Sequence, residues 1–208
     1  MKKIYIALAA VLALSAAASA EVGIGLKGGI FQQDNNLQST FAFPAGSGKI
    51  SDDNFFGGVE FIFQDYFAAN SMIGFKIGGE YRAPLKMQNT MVGDELKNDA
   101  FTFPLTLYYK YAPPCTPFEF WIGGGVTAAY SKWTYNPNSL VSETTDSNVS
   151  VFPHLKAGVE LRMTDHIGIG IDGGYNFSAK LKEDFVNTFG AQRDLTGFEG
   201  NIALRFYF

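Results

Sequence analysis

The stretch FTFPLTLYYKY at residues 101–111 sets Phe101, Phe103, Leu105, Leu107, Tyr109 and Tyr111 against Thr102, Thr106 and Lys110. Side chains that change character at every second residue belong to a β-strand whose two faces meet different surroundings. The same alternation returns over 22–31, 55–64, 71–82, 118–130, 149–162 and 167–179, and again from 197 in the run ending NIALRFYF. With 100–111 this makes eight segments, none of which keeps a helical period. At about 10 to 14 residues they exceed the usual strand of five or six and match a strand tilted across a bilayer.

The charges sharpen the pattern. Lys27, Glu60, Lys76, Glu80, Arg82, Lys110, Glu119, Lys156, Glu160, Arg162, Asp172, Glu199 and Arg205 all fall opposite the apolar row of their segment. A soluble sandwich also alternates, but it uses shorter strands and buries its bulky apolar face. The connections alternate too: long after the first, third, fifth and seventh segments, short after the second, fourth and sixth. Long loops at 32–54, 83–99, 131–148 and 180–196 against short turns such as DYFAAN, APPCTP and MTDH are the outer-membrane pattern. An even strand number then puts both termini on the periplasmic side and the long loops outside the cell.

The first residues, MKKIYIALAAVLALSAAASA, join a basic start to an apolar run and a small-residue ending. The reading is a signal peptide over 1–20, cleaved after Ala20, and a barrel over 21–208. The formal charge of −4 falls to −6 once Lys2 and Lys3 are removed, which disfavours a nucleic-acid partner. The single cysteine, Cys115, offers no disulfide framework, and no metal-ligand spacing or phosphate loop appears. The run Gly123-Gly124-Gly125 sits mid-strand, where close packing explains it.

In hydrocarbon every backbone polar group needs a protein partner, so the sheet must close. The fold class expected is all-β: an eight-stranded antiparallel up-and-down transmembrane barrel. Its inward faces hold glycines, among them Gly23, Gly25, Gly29, Gly74, Gly78, Gly123, Gly125, Gly168, Gly170 and Gly174, which leave room for the long charged chains. Turn registers suggest Glu60 nearly opposite Lys76, Lys110 facing Glu119, and Asp172 diagonal to Lys156 and Glu160. The thirteen charges are therefore expected to form an ionic network that plugs the lumen. Phe63, Tyr109, Tyr111, Phe118, Phe120, Phe206 and Phe208 gather at one end of the segments, and Tyr81, Tyr130, Tyr175 and Phe177 at the other. These suit two headgroup girdles.

The signal peptide, the eight alternating segments and the final row Ile202, Leu204, Phe206 and Phe208 resemble the small OmpA-like and OmpX-like porin-family barrels of Gram-negative bacteria. The resemblance implies residence in the outer membrane among lipid and lipopolysaccharide. It also implies that Ile202, Leu204, Phe206 and Phe208 are read by the barrel assembly machinery. OmpA carries a further peptidoglycan-binding domain, and no such domain is expected here.

Three functions follow as expectations. The first is a structural or interaction scaffold that meets an extracellular ligand through its loops, with Phe41, Phe43, Trp133 and Tyr135 as candidate anchors. The alternative is a narrow pore gated by lumen salt bridges. A lipid-modifying barrel enzyme ranks last: only His154 and His166 exist, neither has a His-x-Ser partner, and no catalytic or cofactor-binding residue is assigned.

Overall fold

The computed structural model describes residues 21–33, 38–39, 48–52, 55–89, 95–136, 144–182 and 191–208. The proposed signal peptide and the loop residues Phe41 and Phe43 lie outside the described residues.

The strands in chain order are β1 (Glu21–Gln33), β2 (Gln38–Ser39), β3 (Gly48–Asp52), β4 (Phe55–Ala68), β5 (Ser71–Asn89), β6 (Glu95–Tyr111), β7 (Phe118–Asn136), β8 (Thr144–Thr164), β9 (Ile167–Asn176), β10 (Lys180–Lys182), β11 (Ala191–Asp194) and β12 (Gly197–Tyr207). Eight of them close a ring in the order β1, β4, β5, β6, β7, β8, β9, β12, every neighbour antiparallel. β3 adds to the outer part of β5, and β10, β11 and β2 form a separate small sheet.

The registers fix the tilt. Following paired residues once round the ring runs Gly158, Asp172, Asn201, Gly29, Phe56, Arg82, Ala100, Ser131 and ends at Asn148. The path returns to β8 ten residues from its start, since 158 less 148 is 10. Ten residues at about 3.3 Å against eight strands at about 4.7 Å tilt the strands by about 41°, within the range of membrane barrels.

The outward rows are apolar and bare. Leu107, Ile122 and Ile202 are each 62% exposed and Ile171 67%. A continuous apolar belt of this kind is at rest only against lipid. The belt has no free edge, because closure pairs every stave on both sides through its span.

Four staves outrun the sequence reading. β5 continues to Asn89, β6 begins at Glu95, β7 continues to Asn136 and β8 begins at Thr144. Much of the expected loops 83–99 and 131–148 is therefore strand. Trp133, expected as a loop anchor, is instead a fully buried inward residue of β7. Beyond the apolar belt the outward face carries polar residues as well. Lys97 and Asp99, for example, pair there at 2.8 Å. The apolar–polar alternation stops although the ladder does not. A break in register between Arg82 and Leu85 further hides the continuation of β5.

Candidate functional site

The lumen collects all thirteen charges singled out in the sequence. Eleven are buried as whole residues. Lys27 and Arg162 keep their side chains at 5% and 13% exposure. The alternation of inward and outward residues places them there.

One rule of construction recurs. Two polar side chains on alternate staves meet across an inward glycine on the stave between them. Gly25 lies beside both Arg205 and Glu60, and Arg205 Nε donates to Glu60 Oε1 at 2.7 Å. Across Gly58, Lys27 Nζ donates to Glu80 Oε1 at 2.6 Å. Gly174 separates Lys156 from its partner Glu199. Across Gly158, Trp121 Nε1 donates to Asp172 Oδ1 at 3.0 Å. Tyr108 donates to Gln64 at 2.7 Å over Gly74, and Thr106 bonds His154 Nε2 at 2.8 Å over Gly125. Neighbouring strands stand about 4.8 Å apart, so staves two apart are bridged only by long side chains with nothing between them. Glycine supplies that gap.

These contacts assemble two clusters. In the outer one Arg82 Nη2 pairs with Glu199 at 2.7 Å and Glu80 at 3.2 Å. Lys27 and Lys156 close on the same two carboxylates, and Thr102 and Asn176 complete their hydrogen bonds. In the inner one Arg205 holds Glu60, Glu160 and Asp172 together. Lys110 pairs with Glu119 at 2.7 Å and Glu160 at 3.2 Å, Tyr207 donates to Glu160 at 2.7 Å, and Arg162 links Glu119 to Glu21. Lys27 stands 3.9 Å from Glu60 and joins the two. Buried charges are tolerable only when paired and hydrogen-bonded in this way.

Lys76 differs from the expected pairing. Glu60 sits opposite Gly78 and Lys76 opposite Ile62, because β4 runs on to Ala68 and leaves only a two-residue turn before Ser71. Lys76 Nζ has no hydrogen-bond partner among the described residues. It lies 3.6 Å from the Trp121 ring centroid and 5.0 Å from that of Tyr108, a cation–π seat. Beside it, in a group that includes Asn201, remains a void of about 20 Å³, room for about one water. Asp172 stands diagonal to Lys156 and Glu160, as read from the turn, and its carboxylate bonds Arg205 and Trp121.

Both histidines are engaged. His154 is buried, with Nδ1 on Thr127 and Nε2 on Thr106, each at 2.8 Å. His166 Nδ1 donates to the Tyr207 carbonyl at 3.1 Å. The row Ile202, Leu204, Phe206 and Phe208 faces outward and is exposed. Cys115 is exposed in the β6–β7 turn.

The sequence reading missed Glu21, Gln64, Tyr108, Trp121 and Tyr207 as lumen residues, and Gly58 and Gly158 as spacers. The signal was present: Tyr108 has the parity of Lys110, Trp121 that of Glu119, and Tyr207 that of Arg205. Aromatic rings are easily credited to the lipid face of a barrel, yet these three carry a polar atom that the lumen uses.

The outer end of the lumen is closed differently. Phe31, Phe56, Ala100, Ala129 and Phe152 form a buried apolar layer there, with Ala179, Leu181 and Leu195 of the β9–β12 connection packed into it.

The fold has counterparts among solved structures. The outer membrane protein OprG from Pseudomonas aeruginosa matches over 92% of this chain and 96% of its own, at 14% identity and a TM-score of 0.54. A major outer membrane protein from Thermus thermophilus matches over 91% of this chain and 100% of its own, at 12% identity and a TM-score of 0.54. No curated protein matches the chain. The model of the outer membrane protein beta-barrel domain matches residues 4–206. With a closed ring of eight tilted staves, an apolar belt and a charged lumen, the chain belongs to the outer membrane protein beta-barrel family.

Proposed function

We propose that the protein is a closed membrane scaffold that presents its long-loop end as an interaction surface. The filled lumen carries this reading. From the apolar layer through both ion clusters to the Glu21–Arg162 pair, side chains occupy the axis, and the void beside Lys76 is of water size. A ring of eight staves has little interior beyond what such side chains fill.

In this reading the outer parts of β5, β6, β7 and β8 stand beyond the lipid belt and face the cell exterior, while the short turns and termini face the periplasm. Lipopolysaccharide packs against the girdle at the long-loop end. The outward row of Ile202, Leu204 and Phe206, with the adjoining Phe208, is the surface offered to the barrel assembly machinery. In the same reading the buried His154 has a structural place, with its two ring nitrogens on threonines.

A second reading, a narrow pore gated by lumen ion pairs, is favoured by one observation: Lys76 lacks a hydrogen-bond partner among the described residues. Osmotic swelling of proteoliposomes in arabinose or glycine tests the scaffold reading. Swelling no faster than protein-free vesicles is expected. Swelling that scales with protein content overturns it.

A further inference from the structure

The layer that closes the long-loop end is chemically unlike the rest of the lumen. Phe31, Phe56 and Phe152 are inward and at most 5% exposed. The long charged side chains of the lumen pair with one another, but here the side chains form an apolar chamber. Its floor is Arg82, whose guanidinium carbon lies 5.1 Å from the ring centroids of both Phe31 and Phe56. Arg82 Nη1 has no hydrogen-bond partner among the described residues, although the side chain is 1% exposed. In the cluster to which Arg82 belongs, Lys27, Arg82 and Lys156 meet Glu80 and Glu199, and Lys27 also reaches Glu60 at 3.9 Å. The chamber thus ends on the Arg82 guanidinium and its unused donor.

What occupies the chamber is the chain itself. Ala179, Leu181 and Leu195 are at most 2% exposed. They follow a bend at Ser178, whose φ of 51° is left-handed. Within the cap, Leu195 N donates to Ala179 O at 2.7 Å, and Ala179 N donates to Thr196 Oγ1 at 2.8 Å. Among the described residues β10 joins no barrel ladder. A hydrogen bond from the barrel wall to it runs from Ser150 Oγ to Lys180 O at 3.2 Å. The cap is seated by apolar burial, which another apolar chain supplies equally well.

We propose that this chamber is a binding site for a single-chain carboxylate amphiphile, whose acyl chain displaces Leu181 and Leu195 and whose head group meets Arg82. Apolar walls select the chain, and the charged floor selects an anion over a neutral alcohol. The site is independent of whether the lumen conducts, because both ion clusters remain beneath it.

The test uses the mature chain refolded in lipid nanodiscs and titrated with 11-(dansylamino)undecanoic acid, read against empty nanodiscs. Saturable binding of one probe per barrel is expected, displaced by dodecanoate at least about tenfold better than by dodecanol. Leu181→Ser removes most of the apolar seat of the cap and is expected to tighten binding by about tenfold. Phe152→Trp fills the chamber and is expected to weaken it by a similar factor. Binding that never saturates above empty nanodiscs overturns the proposal. So does equal competition by dodecanol, or an affinity unmoved in Leu181→Ser.

Discussion

Arg205 and Glu60 meet at 2.7 Å across Gly25, although 145 positions separate them in the chain. Neither lies on a stave next to the other's. The bridge exists because β1 runs between β12 and β4 and presents no side chain at that row. The same device joins Lys27 to Glu80 over Gly58. The lumen is therefore built from triplets of polar, glycine, polar around the ring.

Gly25 should be the sensitive member of its triplet. A Cβ there would stand 2.7 Å from Glu60 Cγ. Gly25→Val is expected to cost about 1–3 kcal/mol from overpacking alone, with more from the separated pair. Gly28 points outward, and its Cβ would meet nothing nearer than the Phe56 carbonyl at 3.9 Å. Gly28→Ala should be neutral, or stabilising by about 0.4–1 kcal/mol. Urea titrations of the barrel folded in phospholipid vesicles compare the two.

Arg205→Met should be among the most damaging single changes. It leaves Glu60, Glu160 and Asp172 without their shared cation in a lumen where Arg205 is fully buried. Stranding buried charge costs about 3–5 kcal/mol. The measurement is the urea midpoint of the vesicle-folded protein.

Lys76→Met should behave oppositely. The ammonium forms no hydrogen bond among the described residues. Removing it forfeits a cation–π contact worth about 2 kcal/mol but relieves a desolvation penalty of several kcal/mol. A variant as stable as the parent, or more so, is expected in the same titration. A loss as large as that of Arg205→Met would show that Lys76 is firmly paired.

The lipid belt can be mapped by charge. Ile202 lies at the middle of β12, and Ile202→Arg should cost about 2–4 kcal/mol, the penalty of a midplane cation. Val149 is 64% exposed on the part of β8 that runs past its pairing with β9. Val149→Arg should cost at most about 1 kcal/mol. Equal penalties would mean that the outer parts of β7 and β8 are immersed in lipid.

Much of this was legible in the residues before any coordinates. Alternation gives eight staves because lipid and lumen impose opposite demands on adjacent side chains. It stops informing where β5 leaves the apolar belt, since past the register break the inward Leu85 is apolar and the outward Lys86 polar. Parity also carried every charge inward, but it could not name partners. Lys110 and Glu119 flank one short turn and do pair, at 2.7 Å. Glu60 and Lys76 flank another at the same two-residue offset and do not, because Glu60 turns to Arg205 and Lys76 to the Trp121 ring. Arg205 and Glu60 belong to opposite ends of the chain, and only closure of the ring brings them together. The apolar cap was invisible for a related reason: Leu181 and Leu195 sit in a polar connection whose inward fold no local pattern announces.

The central claim is that interlocked triplets, capped by the apolar layer, fill the lumen. Single-channel recording of residues 21–208 refolded in a planar bilayer tests it most directly. A membrane that remains silent while the protein is folded, with brief openings appearing only when Arg205 or Glu60 is replaced, is the result predicted here. Regular discrete openings in the unaltered protein, at a conductance that shifts with Lys76→Met, would contradict it.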